Sequence, residues 1–218
     1  MSKSEDEYHK VIYASRLSMS KMILLNGASS SGKTSIARSI QYLSNEQWLT
    51  FGVDTFIEMM PYPSSGKDGA YFDFVPGENE RGPLMSFVPK PVGDKLFGAM
   101  ADFAHILGCR GNNLIIDEVL LNDGQLKSYV DKLADHTVYF VGVKCDLAIM
   151  QEREYLRRDR ALGLSNDQFD RVHTGAREYD FMVDTSNTSV FDAAKAIITF
   201  IEKNPNPNGF NHMRGKLL

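Results

Sequence analysis

The feature that most constrains this chain is a segment of eight residues, Gly-Ala-Ser-Ser-Ser-Gly-Lys-Thr, at positions 27–34. An apolar run at 22–26 precedes it and predicts a buried strand, while the spacing of apolar residues from 34 to 43 predicts a helix. A strand, a loop with two glycines and a helix that opens on Lys-Thr form the pattern of a phosphate-binding loop, or P-loop. The alternative, a surface turn rich in glycine and serine, would not need these flanking elements. We therefore expect this segment to bind a nucleotide.

Each residue type in the loop has a chemical reason to be there. Gly27 and Gly32 permit a tight backbone path that directs several N–H groups at one phosphate. Lys33 adds a positive charge for the β- and γ-phosphates, and the Thr34 hydroxyl can ligate Mg²⁺. ATP and Mg²⁺ are therefore the expected cofactors. The residues assigned to nucleotide binding are Gly27, Ala28, Ser29, Ser30, Ser31, Gly32, Lys33, Thr34, Ser35 and, outside the loop, Arg153.

Length and composition limit the architecture and the partners. With 218 residues, 43% of them hydrophobic, the chain can bury one core, which we place at 22–203 between an N-terminal tail at 1–21 and a flexible C-terminal tail at 204–218. The net charge of −4 argues against a nucleic-acid partner. No apolar run reaches the length of a membrane span, and the N-terminal tail lacks the apolar stretch of a signal peptide.

Cys109 and Cys145 form no CxxC pair, so we expect buried free thiols in a cytoplasmic protein. The oligomeric state stays open, and a homodimer is compatible with the sequence.

Strands and helices alternate along the chain. Strands are predicted at 22–26, 49–53, 113–119, 137–143 and 181–183. Helices are predicted at 34–43, 54–60, 94–107, 146–158, 166–179 and 189–202, with Asp94, Asp146 and Asn166 as candidate N-caps. Such alternation implies right-handed crossovers and a parallel sheet covered on both faces. The expected fold is a three-layer α/β domain with a parallel five-stranded sheet, helices on both faces and an inserted hairpin.

Asp117 is the candidate metal-binding acid. It follows the apolar run at 114–116, and an apolar strand that ends in an acid is typical of a Walker B element. Such a carboxylate holds Mg²⁺ directly or through a water molecule. We therefore assign Asp117 to the metal together with Thr34. Glu118 is expected on the opposite face of the strand, toward a helix or solvent, because successive side chains alternate.

Asp54 is the candidate general base. It follows the second predicted strand, and ligands of open parallel sheets bind outside the carboxyl ends of the strands. A carboxylate at that place can accept the proton of an acceptor hydroxyl while its oxygen attacks the γ-phosphate. The alternative role is that of a helix N-cap for residues 55–60, which aspartate also suits.

Four arginines fall within eight residues: Arg153, Arg157, Arg158 and Arg160. The spacing of four between Arg153 and Arg157 and of three between Arg157 and Arg160 places these three on one helical face. Such guanidinium groups stabilise the charge on a transferring phosphoryl group, so residues 153–166 are predicted to form a lid that Gly163 allows to move. The alternative is an exposed charged face, paired with Glu152, Glu154 and Asp159.

Residues 61–93 differ in composition and predict an insertion on the acceptor side. They hold six of the chain's eight prolines, and two apolar runs at 70–75 and 84–88 flank a Gly- and Pro-rich turn, which predicts a hairpin. The candidate substrate contacts are the aromatic side chains Tyr71, Phe72, Phe74 and Phe87. An aromatic wall suits a small, partly apolar acceptor. The alternative is that these rings pack the insertion onto the sheet.

Taken together, several sequence blocks resemble the chloramphenicol phosphotransferase family of P-loop kinases. The blocks are Leu-Asn followed by the P-loop at 25–34, Trp-Leu-Thr-Phe-Gly-Val-Asp at 48–54, Ile-Ile-Asp-Glu-Val at 115–119, Val-Gly-Val-Lys-Cys-Asp at 141–146, the arginine block at 153–163, and residues of 173–185 that include His173 and Tyr179. They are spread in order over residues 22–200. The Phe-Gly-Val-Asp block and the Arg-x-x-Arg-x-x-Gly block are the more specific ones.

The resemblance implies ATP-dependent phosphorylation of a small-molecule hydroxyl, in a nucleoside-kinase-like sheet whose first strand is central. It makes Asp54 the general base and Arg157 and Arg160 the lid arginines. Arg158 departs from the pattern, where a small residue is common. The reaction type carries over further than the acceptor, because the family varies most after the second strand, where the aromatic insertion lies. Antibiotic resistance is the biological context that this family suggests.

Two other hypotheses stay open. Nucleotide, metabolite and nucleotide-sugar kinases use the same chemical parts on other acceptors. A non-catalytic nucleotide switch would keep Lys33, Thr34 and Asp117 but would need no acceptor pocket, and the aromatic insertion beside Asp54 disfavours it. His173 and Tyr179 are predicted to lie on a helix after the lid, where they either pack or contact the substrate.

Overall fold

The computed structural model describes residues 20–158 and 161–217. The N-terminal tail predicted at 1–21 therefore lies outside the described residues except for its last two. Arg160 also lies outside them.

The described residues contain seven strands. In chain order they are β1 (Lys21–Asn26), β2 (Trp48–Gly52), β3 (Phe72–Asn79), β4 (Gly82–Pro89), β5 (Asn113–Glu118), β6 (Thr137–Lys144) and β7 (Phe181–Asp184). Five of them form one sheet in the order β2-β5-β1-β6-β7, and each neighbouring pair is parallel. The predicted five-stranded parallel sheet with a central first strand is confirmed. β3 and β4 form the predicted hairpin as a separate antiparallel pair.

Helices cover both faces of the sheet. In chain order those described are α1 (Lys33–Leu43), α2 (Val53–Glu58), α3 (Pro91–Gly98), α4 (Met100–Cys109), α5 (Asp123–Lys132), α6 (Leu147–Arg157), α7 (Leu164–Gln168), α8 (Val190–Lys203) and α9 (Gly209–Leu217). One core packs α4, α5 and α9 against β1, β5 and β6, and a second packs α1 and α8 on the opposite face. The three-layer α/β fold is confirmed. No helix in the described part of the chain combines the length and the apolar character needed to cross a membrane.

Two helix boundaries differ from the prediction. The helix expected from Asp94 to residue 107 starts at Pro91 and is interrupted at Ala99, which separates α3 from α4. Proline suits a first helical position because its missing N–H would have no partner there. The helix expected from Asn166 to Tyr179 is only α7, whose N-cap is Gly163. Asn166 does not cap it, because its side chain is engaged by the hairpin.

The C-terminal residues and one cysteine also differ from expectation. The segment predicted as a flexible tail contains α9, which buries Phe210 and Met213 against the sheet. The Asn-Pro repeats before it end α8 and turn the chain back. Cys145 is buried as expected, but Cys109 is exposed because it is the last residue of α4, where the helix surface faces outward.

We predict that Met213→Ala lowers the free energy of unfolding by about 2–5 kcal/mol, because it removes a fully buried side chain and leaves a cavity. Urea denaturation measures this change. The exposed neighbour Asn211→Ala is the matched control and should shift the free energy by less than about 0.5 kcal/mol. Equal small effects of both substitutions would show that α9 is not part of the folded core.

Candidate active site

The P-loop brings its lysine and threonine against the acid at the end of β5. The Lys33 ammonium lies 3.6 Å from Oδ1 of Asp117 and donates a hydrogen bond to the Ala28 carbonyl oxygen at 3.0 Å. The Thr34 hydroxyl donates to the other carboxylate oxygen, Oδ2 of Asp117, at 2.5 Å. The structure thus brings together three residues that the sequence predicted for the phosphates and the metal.

The side-chain hydroxyl groups of the loop serines are buried without hydrogen bonds to the described residues. Ser29, Ser30 and Ser31 are each at most 7% exposed, and none of their hydroxyls has a hydrogen-bond partner among the described residues. Buried hydroxyls are normally hydrogen-bonded, so such a cluster is unusual unless a ligand completes it. Gly32 has a φ of 96° and begins the turn into α1.

The register between β2 and β5 brings the start of α2, which carries Asp54, to the strand that carries Asp117. Gly52 pairs with Asp117, and a Cβ atom at Gly52 would lie 2.3 Å from the Asp117 carbonyl oxygen, so only glycine allows the two strands to approach there. Asp54 follows two residues later, in the first turn of α2, with an exposed side chain. The N-cap of α2 is Gly52 rather than Asp54, so the capping alternative does not hold.

Arg153 of α6 donates hydrogen bonds to the backbone of the P-loop and of the residue that follows β7. Its guanidinium donates to the Ser30 carbonyl oxygen at 3.4 Å, to the Thr185 hydroxyl at 3.2 Å and to the Thr185 carbonyl oxygen at 2.9 Å. The Thr185 hydroxyl in turn donates to the Ser31 carbonyl oxygen at 2.7 Å. Sequence reasoning gave Thr185 no role, although its position after the carboxyl end of β7 was the available signal.

The other arginines of the cluster lie further along α6. Arg157 is exposed at the last residue of the helix, four residues from Arg153 and therefore on the same face. Arg158 is exposed too, with a φ of 58° that ends the helix in the left-handed region. The assignment of Arg157 to the lid stays a prediction, as does that of Arg160, which the structure does not describe.

Glu154 does not have the exposed ion-pair role that the alternative interpretation of the arginine cluster gave it. Its side chain is 2% exposed and accepts hydrogen bonds from the Gly163 N–H at 2.8 Å and from the Ser165 N–H at 3.0 Å. The Ser165 hydroxyl donates to it at 3.1 Å. The charge pattern could not reveal the burial of Glu154, because that burial depends on residues 163–165, which fold back over α6.

Helix α7 connects the hairpin to the P-loop. The Asn166 side chain donates to the carbonyl oxygens of Gly82 at 3.1 Å and Pro83 at 3.0 Å, and the Gly163 carbonyl oxygen accepts from the Met85 N–H at 3.1 Å. On the other side, the Gln168 side-chain oxygen accepts from the Ser29 N–H at 2.6 Å. No sequence signal pointed to Gln168. The segment from Gly163 to Gln168 therefore contacts the hairpin at its start and the P-loop at its end.

The aromatic side chains of the insertion form a cluster with α3. Phe72, Phe74 and Phe87 lie on one face of the hairpin, since Phe87 is the cross-strand partner of Phe74. The Phe72 and Phe87 ring centroids are 4.6 Å apart, and Phe87 is 5.5 Å from Phe97 of α3. Phe72 is 4% exposed and thus has a packing role, whereas Phe74 is 40% exposed. Tyr71 is partly buried and precedes β3.

Glu118 lies on the face opposite to Asp117, as alternation predicted, and it is buried. The Tyr129 hydroxyl of α5 donates to it at 2.5 Å, and the Val119 N–H donates at 3.0 Å. Burial raises the pKa of Glu118 to about 7, because the charged form loses hydration that the hydrogen bonds only partly replace. This carboxyl connects the end of β5 to α5 through Tyr129.

His173 and Tyr179 do not lie on a helix but in the irregular segment between α7 and β7, next to the end of β1. The Asn26 side chain, directly before the loop, donates to the Tyr179 hydroxyl at 2.7 Å and to the Val172 carbonyl oxygen at 2.8 Å. Nδ1 of His173 is 2.8 Å from the same hydroxyl. Burial lowers the pKa of His173 to about 4, and the Lys144 charge acts in the same direction. This arrangement supports the packing alternative for both residues.

The structure combines a phosphate-binding loop, an acid at the end of the neighbouring strand and a five-stranded parallel sheet in which the strand before the loop is central. This combination defines the class of P-loop kinases. Solved structures share this fold over most of the chain. The Mycobacterium tuberculosis APS kinase in complex with AMPPNP and APS matches with a TM-score of 0.58 and 13% identity, over 84% of this chain and 98% of that chain. A gluconokinase from Sinorhizobium meliloti 1021 matches with a TM-score of 0.54 and 13% identity, over 85% and 93%. Shikimate kinase from Acinetobacter baumannii, in complex with shikimate, matches with a TM-score of 0.50 and 13% identity, over 86% and 95%.

The sequence comparisons identify the family. The family model described as chloramphenicol phosphotransferase-like protein matches residues 20–202. A protein of Mycobacterium tuberculosis whose name classes it provisionally as an O-phosphotransferase is 30% identical over 202 residues, which cover 91% of this chain and 89% of that protein. The chain therefore belongs to the chloramphenicol phosphotransferase-like family, and it is a P-loop small-molecule kinase. The resemblance inferred from the sequence blocks is confirmed.

We predict that the stability difference between the wild-type protein and His173→Gln depends on pH. A folded-state pKa depressed to about 4 means that stability is present above the ordinary value of 6.5 and is lost as the pH falls toward 4, since the unfolded chain takes up the proton first. Glutamine does not titrate, so the variant takes up no proton at position 173. Denaturant titrations between pH 7 and pH 4 should therefore show the wild type losing stability relative to the variant. Asn211→Ala, at an exposed residue that does not titrate, is the control, and a pH-independent difference for His173→Gln would contradict the prediction.

Proposed function

We propose that this kinase transfers the γ-phosphoryl group of Mg-ATP to a hydroxyl of a small, partly apolar molecule. The observation that carries the proposal is the meeting of Lys33, Thr34 and Asp117 at the edge of the sheet where α2 begins, with Asp54 in the first turn of that helix. This edge is the carboxyl end of the parallel strands, where open α/β sheets bind their ligands. Consumption of ATP and the free cysteines of the described residues fit a cytoplasmic enzyme.

The donor side fits a nucleotide with a divalent cation. Hard oxygen ligands suit Mg²⁺, and Thr34 and Asp117 offer a hydroxyl and a carboxylate that already meet at 2.5 Å. The buried serine hydroxyls of the loop, without partners among the described residues, support a phosphate ligand there. When bound, Mg²⁺ neutralises charge on the β- and γ-phosphates. Lys33, which is 6% exposed, contributes a fixed positive charge in a weakly hydrated place.

Asp54 is proposed as the general base. Its carboxylate would accept the proton of the acceptor hydroxyl while the hydroxyl oxygen attacks the γ-phosphorus. Its position two residues beyond the contact between Gly52 and Asp117 supports this role. Arg157 and Arg160 are proposed to stabilise charge on the transferring group, and Arg153 to shape the loop that holds the nucleotide.

The acceptor is proposed to lie between α2 and the hairpin. Helix α2 contacts α3, whose Phe97 packs on Phe87, so the hairpin's aromatic face is connected to the element that carries Asp54. Phe74 offers exposed aromatic surface, and Tyr71 a phenol, whereas Phe72 and Phe87 shape the wall by packing. This surface also suits a nucleoside or another ring-containing metabolite. Acceptors of the nucleotide, metabolite and nucleotide-sugar classes are therefore retained as a second candidate.

We predict that Asp54→Asn reduces kcat for phosphoryl transfer by about 10²–10⁴-fold, because the amide cannot accept the proton. The affinity for ATP should change by less than about twofold, since Asp54 is not placed on the nucleotide. The measurement is ATP consumption with a panel of hydroxyl compounds that includes amphenicols, nucleosides, sugars and polyols, alongside calorimetric ATP binding.

The matched control is Glu58→Gln, an exposed carboxylate on the same short helix, which should leave kcat unchanged. Unchanged turnover in Asp54→Asn would remove Asp54 as the base. ATP consumption that no acceptor accelerates would instead favour a nucleotide switch.

A further inference from the structure

A second cluster of chemically reactive side chains lies at the opposite end of the sheet from the P-loop. Among residues 20–158 and 161–217, His105, Cys109 and His136 bring one potential metal-ligating atom each within 4.8 Å of one another. His136 directly precedes β6, and His105 and Cys109 lie in the last turns of α4. The strands of the sheet begin at the edge opposite to the P-loop, and His136 lies at that edge. The cluster is therefore separate from the candidate active site.

The distances within the cluster match those between ligands of one metal ion. Nε2 of His136 lies 3.2 Å from Nδ1 of His105. The Cys109 sulfur lies 3.4 Å from Nε2 and 3.9 Å from Nδ1 of His105. Tetrahedral bonds of about 2.0 Å to nitrogen and about 2.3 Å to sulfur would separate two nitrogens by about 3.3 Å, and nitrogen from sulfur by about 3.6 Å. Small rotations of the Cys109 side chain, which is exposed, would complete the arrangement.

The surrounding structure holds these side chains in place. His105 and Cys109 are four residues apart and therefore project from the same face of α4. Gly108 allows His136 to approach, because a Cβ atom at Gly108 would lie 2.7 Å from Cε1 of His136. The Ser20 hydroxyl lies 3.0 Å from Nδ1 of His136, and such a second contact orients a ligating imidazole so that Nε2 faces the metal.

The ligand types in the cluster also suit a transition metal. A thiolate and two imidazoles are ligands for a borderline-soft ion.

We propose that His105, Cys109 and His136 form a binding site for a divalent transition metal of the Zn²⁺ class. Both imidazoles bind as neutral groups: His136 would ligate through Nε2 and carry its proton on Nδ1, toward the Ser20 hydroxyl, and His105 would ligate through Nδ1 and carry its proton on Nε2. The Cys109 thiol releases its proton to the solvent and binds as the thiolate. Three protein ligands leave a fourth position open on the exposed side of Cys109. The bound metal connects α4 to the start of β6, far from the phosphates.

The test uses the full chain without a polyhistidine tag, stripped of metal and titrated with Co²⁺ as a spectroscopic probe and with Zn²⁺ as competitor. One equivalent of Co²⁺ should produce tetrahedral visible bands and a thiolate-to-cobalt charge-transfer band in the near ultraviolet, both abolished by Zn²⁺. Saturating Zn²⁺ should raise Tm by several degrees.

Cys109→Ser should lose the charge-transfer band, and His105→Ala should weaken Co²⁺ binding by about tenfold or more. Cys145 remains in both variants, so a lost band identifies the thiolate. His212→Ala, at an exposed histidine, and Asp117→Asn, in the phosphate site, should both keep the bands. The proposal is overturned if the wild type shows no saturable charge-transfer band, or if Cys109→Ser retains it.

Discussion

The close approach of β2 to β5 is the constraint on which the active site depends. Gly52 lets its strand lie directly against the backbone of Asp117, and β5 in turn pairs with β1, which ends at the P-loop. A side chain at Gly52 would separate these strands and shift the start of α2, which carries Asp54, away from Asp117. The chemistry of the site therefore depends on backbone packing in the sheet as much as on the charged residues themselves.

The phosphate-binding half of the site could be predicted from the sequence, because its geometry is local. A strand, a loop and a helix within some twenty residues determine where Lys33 and Thr34 lie, and an acid after an apolar strand must reach the same edge. Residues whose roles depend on distant segments could not be predicted. Glu154 is buried by a segment that follows it, and Gln168 reaches the loop from a helix of five residues. The same reason explains the errors at Asn166 and at the C-terminal helix, since sequence patterns mark turns and caps but not what packs on them.

The hairpin and helix α7 together connect the two substrates of the proposed reaction. Asn166 binds the hairpin backbone and Gln168 binds the P-loop, within one short helix. Helix α7 therefore contacts both the P-loop and the hairpin whose aromatic face is proposed to receive the acceptor. At the opposite end of the sheet, the histidine and cysteine cluster offers a different chemistry, based on soft ligands, which would act on the stability of the fold and not on phosphates.

The most direct test of the account is the Mg²⁺ dependence of ATP binding in the wild type and in Asp117→Asn, measured by calorimetry with a non-hydrolysable ATP analogue. If Asp117 and Thr34 hold the metal where Lys33 holds the phosphates, Mg²⁺ should strengthen binding to the wild type by at least about tenfold, and the variant should lose most of that increase while it still binds the metal-free nucleotide. An unchanged Mg²⁺ dependence in Asp117→Asn would contradict the account.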